Sequence, residues 1–127
     1  MNNFIKIKNI NKKYEKNKTI KVLNDISFNF ESGKIYSIVG PSGSGKSTLL
    51  NLLSLIDSPS SGSIEIKKIK INFENSIEND KIRANNIGII YQDKNLLSDF
   101  SAIENVYLPN LLLSNDKSAS INLAKKI

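Results

Sequence analysis

The nine residues from Gly40 to Thr48 have the types and the spacing of a phosphate-binding loop. They fit the pattern G-x-x-x-x-G-K-[ST], in which successive backbone N–H groups turn inward and surround an anion. In this pattern Lys46 reaches the β- and γ-phosphates of a nucleotide, and the Ser47 hydroxyl ligates Mg²⁺. The motif therefore predicts a nucleotide site formed by Gly40, Gly43, Ser44, Gly45, Lys46, Ser47 and Thr48.

The segments on both sides of the loop support this interpretation. The β-branched run Ile35–Val39 predicts a strand that enters the loop, and the leucine-rich stretch after Thr48 predicts a helix that leaves it. Such a helix directs its unpaired N–H groups and the positive end of its dipole at the phosphates. The alternative is a glycine-rich surface turn, and the two flanking elements argue against it.

Length and composition describe one small globular domain. The 127 residues suffice for a modest core, and 39% hydrophobic and 24% charged residues are ordinary for a soluble protein. No apolar run approaches the roughly 20 residues that cross a bilayer, and the N-terminus lacks the apolar region of a signal peptide. The absence of Cys excludes disulfides and Cys-based metal sites. We therefore expect a cytoplasmic location, which still allows a membrane-attached partner.

The net charge of +6 raises the question of nucleic-acid binding. The lysines alternate with apolar residues, as in Ile5-Lys6-Ile7-Lys8, and do not form a block. We therefore interpret the charge as mostly a solvated face and expect no nucleic-acid partner.

The order of the predicted elements is that of an α/β protein. An antiparallel β region comes first, with a bulge or bend at Asn24–Asp25. Parallel strands are expected at Ile35–Val39 and at Ile87–Tyr91, whose continuous apolar run suits a buried position. Pro109 should interrupt the helix that a capping box, Ser101–Glu104, opens. The predicted strands are 4–10, 20–30, 35–39, 63–66, 69–73 and 87–91, and the predicted helices are 47–56, 76–84, 101–108 and 118–127.

This order of signals resembles the ATP-binding subunits of ABC transporters. The loop sequence from Gly40 to Thr48 is that family's usual variant, and Asp57–Gly62 is similar to its turn after the helix. Ile87–Gln92 resembles the strand that leads into the family's Q-loop, and Asn95–Val106 is most similar to the ATPase subunit of the lipoprotein-releasing (Lol) system of Gram-negative bacteria. The resemblance covers nearly the whole chain. It implies the N-terminal part of a P-loop NTPase fold, with an antiparallel β region, an incomplete parallel sheet and the start of the helical subdomain.

The resemblance also implies roles for three residues that the loop motif does not explain. Tyr14 matches the aromatic residue that stacks on adenine, although an exposed Tyr at the end of a strand is common in any protein. Gln92 matches the Q-loop glutamine, which approaches Mg²⁺ and the γ-phosphate, although a Gln after a strand is usually a surface residue. Ser42 matches a position near the γ-phosphate. The implied cofactors are ATP and Mg²⁺, with Ser47 and Gln92 as metal ligands.

Two partners follow from the same resemblance. Residues Asp93 to Phe100 match the segment on which the membrane-spanning subunits dock, although Leu97 and Phe100 suit a local core equally well. Family members hydrolyse ATP as dimers, in which each nucleotide lies between one subunit's phosphate loop and the other's signature loop. A second ATP-binding subunit is therefore expected, at the cytoplasmic face of the inner membrane.

Several elements of the family have no match in this sequence. Nothing after Gln92 matches the signature loop or the strand that supplies the Mg²⁺-linked Asp and the catalytic Glu, and the chain contains no His. We therefore interpret 1–127 as a single truncated ATP-binding domain, with 1–92 as the β-rich phosphate-loop core and 93–127 as the Q-loop exit and the start of the helical subdomain. Catalysis by the chain itself stays open.

Without the acidic strand, apolar residues beside its place in the sheet should lie at exposed edges, and the isolated chain should be marginally stable and prone to aggregate. These residues are Ile35, Ile38, Ile87 and Ile89. Two other functions compete with an ATPase subunit: a catalytically inactive nucleotide-binding remnant or regulatory module, and a P-loop GTPase or small kinase. A P-loop GTPase or small kinase is disfavoured because the sequence has no recognisable guanine-specificity motif and because the residues around Gln92 argue against it.

Overall fold

A computed structural model describes residues 3–15, 18–92 and 95–127 of the chain. They fall into two compact units, Met1–Ile87 and Gly88–Ile127. The first unit contains β1 (Asn3–Glu15), β2 (Thr19–Glu31), α1 (Lys46–Leu53), β3 (Ser61–Ile66), β4 (Ile69–Lys70) and α2 (Ser76–Asn86), and the second contains α3 (Ala102–Ser114) and α4 (Lys117–Ala124). Among these helices, none combines the length and the apolar character that a membrane crossing requires.

The first unit is built on an antiparallel sheet with the strand order β2-β1-β3-β4. Alternate side chains of a strand point to the same face, so the isoleucines of β1 and β3 form one apolar surface. Leucines of α1 and of the turn after it complete this core. The buried apolar residues of the core are Ile7, Ile10, Leu23, Leu52, Leu55, Ile64, Ile66 and Ile71.

The bulge predicted in β2 is present. Ile10 lies opposite Ile26 and Lys12 lies opposite Leu23, so β2 has one more residue than β1 between these pairs. Asp25 has a φ of 52°, and its carboxylate accepts a hydrogen bond from Asn9 Nδ2 at 2.6 Å. The bulge therefore redirects β2 without leaving these polar groups unpaired.

β1 is longer than the sequence predicted. The sequence predicts that the strand ends at Ile10, but β1 continues to Glu15 because β2 pairs with it as far as that residue, whereas β3 pairs only as far as Asn11. Pairing with β2 outweighs the polar composition of residues 11–15. This extension places Lys12 and Tyr14 in the sheet.

The two predicted parallel strands are wrong. Residues 34–41 and 87–91 are not strands, and within the described parts of the chain no segment pairs with them. An apolar run becomes a strand only where a neighbour accepts and donates its backbone hydrogen bonds. Ile35 is exposed as predicted, whereas Ile38, Ile87 and Ile89 are half-buried.

Helix boundaries were predicted with mixed success. α1 ends at Leu53 rather than at residue 56, because Leu55 takes a φ of 58°. The cap of α2 is present, since Asn75 accepts a hydrogen bond from the backbone N–H of Glu78 at 3.2 Å.

The capping box at the start of α3 is confirmed in the second unit. The Ser101 hydroxyl accepts from the N–H of Glu104 at 3.4 Å, and the Glu104 carboxylate accepts from the N–H of Ser101 at 2.8 Å. Pro109 does not interrupt this helix, contrary to prediction. α3 packs against α4 and continues through the proline, which removes only one backbone donor.

Candidate nucleotide-binding site

The phosphate loop connects the extended segment 34–39 to the N-terminus of α1. Gly45, the residue before the helix, has a φ of 93° and lies tightly against β2. A Cβ atom at this position would approach Leu23 Cδ2 and the Val22 carbonyl oxygen to 2.9 Å. Only glycine satisfies both the backbone angle and the space. The contact with β2 thus fixes where α1 begins.

α1 presents free backbone donors at the loop. Its first intrahelical bond runs from the N–H of Leu49 to the carbonyl of Gly45 at 2.8 Å. The N–H groups of Lys46, Ser47 and Thr48 precede that bond and therefore lack a partner inside the helix. No side chain caps this end of α1 within the described residues. These donors and the helix dipole together favour an anion at this end of the helix.

The Lys46 side chain folds back across the loop. Its ammonium donates to the carbonyl of Gly40 at 2.9 Å and to the carbonyl of Pro41 at 2.7 Å. Among the described residues it forms no ion pair with an acidic group. The positive charge is therefore balanced only by neutral carbonyls, which an anionic ligand can displace.

The hydroxyls of the loop differ in their surroundings. Ser42, Ser44 and Ser47 are exposed, and Thr48 is half-buried. The N–H of Ser44 donates to the carbonyl of Pro41 at 3.3 Å, so this amide closes a turn inside the loop. The Ser47 hydroxyl fits Mg²⁺, which is usually held by one or two protein oxygens together with phosphate and water.

Tyr14 lies on β1 and is anchored by a carboxylate. Its hydroxyl donates to Asp57 Oδ2 at 2.9 Å, and the ring remains 39% exposed. Asp57 also accepts from Lys12 Nζ at 2.6 Å. Partial burial raises the pKa of the Asp57 carboxyl, but the hydrogen bonds from Lys12, Tyr14 and the backbone of Ser58 outweigh burial and hold that pKa below its ordinary value.

Gln92 and the predicted docking segment belong to the second unit. The Gln92 side chain is exposed. Asp93 and Lys94 lie outside the described residues. Leu97 and Phe100 are exposed in their unit, which favours an interaction surface over a local core.

Asn105 shapes this segment. Its side chain accepts from the N–H of Leu97 at 2.8 Å and donates to the carbonyls of Leu97, Phe100 and Ser101 at 3.0–3.1 Å. The loop after residue 96 is therefore held against the first turn of α3.

The sequence analysis assigns no role to two residues that shape these sites. Asp57 appears there only in the turn after the first helix, and Asn105 only in the stretch that is similar to the Lol ATPase subunit. A usable signal existed for Asp57, because Lys12 and Tyr14 are two residues apart and share a strand face if the strand extends that far. No comparable signal pointed to Asn105.

Comparisons with known proteins agree on one family. The family model described as ABC transporter matches residues 23–126. The lipoprotein-releasing system ATP-binding protein LolD of Wigglesworthia glossinidia brevipalpis is 44% identical over 130 residues, covering 100% of this chain and 57% of the relative. LolD of Rickettsia bellii (strain RML369-C) is 40% identical over 127 residues, covering 99% of this chain and 55% of the relative. The chain therefore spans about half the length of the curated relatives it matches.

A solved structure gives the same result for the fold. The ATP-binding cassette MJ0796, determined as a dimer in a post-hydrolysis state bound to ADP and Pi, superposes with a TM-score of 0.88 at 36% identity. The match covers 96% of this chain and 54% of that one. The predicted fold class, an ABC-type P-loop NTPase, is confirmed by this likeness, even though the two parallel strands are not formed.

Proposed function

The chain belongs to the ABC transporter family, and on this premise we propose that it is the phosphate-loop portion of the ATP-binding subunit of a lipoprotein-releasing transporter. The observation that carries the proposal is the arrangement at the start of α1. There, free backbone donors, the helix dipole and the ammonium of Lys46 lie at one loop. The names of the LolD relatives support the lipoprotein-releasing system as its context.

In this proposal the loop binds the phosphates of ATP. Lys46 exchanges the carbonyls of Gly40 and Pro41 for β- and γ-phosphate oxygens, a stronger charge-assisted interaction. The amides of Gly43, Gly45 and the first turn of α1 surround the phosphates.

The side chains around the loop complete the nucleotide site. Ser42 lies beside the γ-phosphate, Ser44 belongs to the same phosphate-binding loop, and Thr48 adds an N–H near the α-phosphate. Ser47 and Gln92 would hold Mg²⁺, which neutralises the phosphate charge that develops during phosphoryl transfer. Tyr14 stacks on the adenine.

Hydrolysis belongs to a larger assembly than these residues. In this proposal the chain supplies the phosphate-loop half of a composite site. A second ATP-binding subunit contributes the facing half, which the dimeric state of the MJ0796 cassette supports. The comparisons give no support to a catalytically inactive remnant or a regulatory module.

Nucleotide binding is tested by titrating the chain with MgATP by isothermal calorimetry. Lys46→Ala should weaken binding by about tenfold or more, because a charge-assisted hydrogen bond contributes about 1.5–3 kcal/mol. Lys81→Ala removes an exposed lysine of α2 and should leave the affinity unchanged. Equal affinities for wild type and Lys46→Ala would contradict the proposal.

The membrane partner is proposed to dock on residues 93–100, at the cytoplasmic face of the inner membrane. The chain has no native Cys, so single-cysteine variants carry a unique cross-linking site. Phe100→Cys should cross-link to the membrane-spanning subunits of a lipoprotein-releasing transporter in inner-membrane vesicles. Lys125→Cys, at an exposed position after α4, should not. Cross-linking from both positions, or from neither, would contradict this docking surface.

A further inference from the structure

A buried lysine pairs with a carboxylate behind the exposed face of Tyr14. Lys12 is only 8% exposed, and its ammonium lies 2.6 Å from Asp57 Oδ1 and 2.7 Å from the carbonyl oxygen of Ser58. A lysine is almost never this buried unless its charge is paired and hydrogen-bonded. The pair ties β1 to the turn that follows α1.

Both constraints on the Tyr14 side chain come from this pair. Each carboxylate oxygen of Asp57 accepts one of these hydrogen bonds. Oδ1 accepts from Lys12, and Oδ2 accepts from the Tyr14 hydroxyl at 2.9 Å. The Lys12 ammonium also lies 4.8 Å from the centroid of the Tyr14 ring, a cation–π distance. One contact therefore fixes the far end of the ring, and the other occupies one of its faces.

A purely structural role explains only part of this arrangement. The bonds of Lys12 to Asp57 and Ser58 already connect the strand to the turn. Tyr14 is 39% exposed, so part of its side chain remains open to solvent. An exposed ring is not oriented by packing on all sides, so its orientation depends on explicit anchors such as these two.

We propose that Lys12 and Asp57 are positioning residues that hold the Tyr14 ring as a stacking platform for the nucleotide base. The proposal rests on the function proposed above, in which Tyr14 stacks on adenine. The ammonium takes one face of the ring, so the base takes the other. Because the hydroxyl is already bound to Asp57, the ring contributes stacking rather than a hydrogen bond to the base.

The experiment separates the base from the phosphates. The chain is titrated with MgATP and, separately, with magnesium tripolyphosphate, which has the phosphates but no base. Because tripolyphosphate lacks the ribose as well as the base, the ratio of the two affinities is compared between variants, and its change isolates the contribution of the substituted side chain. Tyr14→Ala should lower the ratio about tenfold, because stacking of a base on an aromatic side chain typically gives about 5- to 150-fold.

The positioning variants should reduce the same ratio and leave tripolyphosphate binding unchanged within about twofold. Asp57→Ala removes the shared acceptor, and Tyr14→Phe keeps the ring while deleting only its bond to Asp57. Because that bond is the common target, the double variant should lower the ratio no further than Asp57→Ala alone. Asp80→Asn, which alters an exposed ion pair on α2, serves as the matched control and should behave as wild type.

The outcomes distinguish the possible failures. If Tyr14→Ala lowers the ratio but Asp57→Ala and Tyr14→Phe do not, the positioning role is overturned while stacking by Tyr14 stands. If the positioning variants lose both ligands equally, the pair supports only the fold, and the proposal is also overturned. If wild type binds both ligands equally well, the role of Tyr14 in the proposed function fails first. Tyr14→Phe leaves the buried ion pair intact, so it tests the positioning role even if the Asp57→Ala variant does not fold.

Discussion

β3 and the segment 35–39 both carry isoleucines in the same unit, but these side chains have opposite surroundings. In β3, Ile64 is fully buried because the strand pairs with β1 on one side and β4 on the other. In the segment 35–39, Ile35 is 99% and Val39 87% exposed, and the residues form no strand. The segment 35–39 is the more apolar of the two, yet only β3 forms a strand.

The difference shows that apolar composition specifies a strand only together with its partner. β1 pairs with β2 across a short connection, but its other neighbour, β3, lies far along the chain at residues 61–66. The segments 35–39 and 87–91 have no paired neighbour among the described residues, and without one their backbone groups form no sheet. Ile90, at 100% exposure in the second unit, is a further example of an apolar side chain without such a neighbour among the described residues.

The sharpest test of this contrast exchanges the same residue type in the two regions. Ile64→Ala should lower the free energy of unfolding by about 2–5 kcal/mol, because it leaves a cavity in the core. Ile35→Ala should change it by no more than about 0.5 kcal/mol. Urea unfolding followed by circular dichroism measures both values. Similar losses from the two variants would show that the segment 35–39 is packed in solution.

A second test concerns Gly62, near the start of β3. Gly62 has a φ of 100°, and a Cβ atom there would lie 2.7 Å from the carbonyl oxygen of Lys8. Gly62→Ala should therefore cost about 1–3 kcal/mol in the free energy of unfolding. Gly88→Ala meets no atom within 4 Å and should be nearly neutral. A neutral Gly62→Ala would mean that β1 and β3 are less closely joined than described.

The ion pair that ties β1 to the turn after α1 should make stability depend on pH. The pKa of Asp57 is lower in the folded chain, so the unfolded chain binds more protons in the acid range. The stabilisation is present above the unfolded pKa of about 3.9 and is lost as pH falls through the lower folded pKa. Urea unfolding between pH 3 and pH 7 should show stability rising with pH and then levelling.

Variants separate the sources of this pH dependence. Asp57→Asn should reduce the loss of unfolding free energy at acid pH. Glu104→Gln should leave the Asp57 part in place, although hydrogen bonds from Ser101 also hold the pKa of Glu104 below its ordinary value. An unchanged profile for Asp57→Asn would argue against the pair between Lys12 and Asp57.

The smallest expected effect on the free energy of unfolding comes from charged substitutions at two exposed isoleucines, which should instead raise solubility. Ile35→Lys and Ile90→Lys place charges on exposed apolar positions and should reduce light scattering at high protein concentration. Their unfolding midpoints should match that of wild type because neither side chain is packed. If scattering is unchanged, these segments do not drive self-association.

Local signals in the sequence predicted turns and helix starts better than they predicted the sheet. The start of α1 after the glycine-rich loop and the capping box at Ser101 depend on residues close together, and both are present. The bulge at Asn24–Asp25 was predicted for the same reason. The bond between Tyr14 and Asp57 was not, because it joins residues that the sequence separates by 43 positions. Tertiary pairing likewise decided the length of β1 and the absence of the parallel strands.

The most direct test of the nucleotide-binding loop is an NMR titration of the ¹⁵N-labelled chain with MgATP. The largest shifts should occur at the backbone amides of Gly43, Gly45, Lys46 and Ser47, because these donors surround the phosphates. Gly88 should not shift, and at a concentration of ATP near the wild-type Kd, Lys46→Ala should reduce the loop shifts severalfold because it binds more weakly. Binding of ATP with shifts confined to other residues, or with loop shifts that Lys46→Ala leaves unchanged, would contradict binding by this loop.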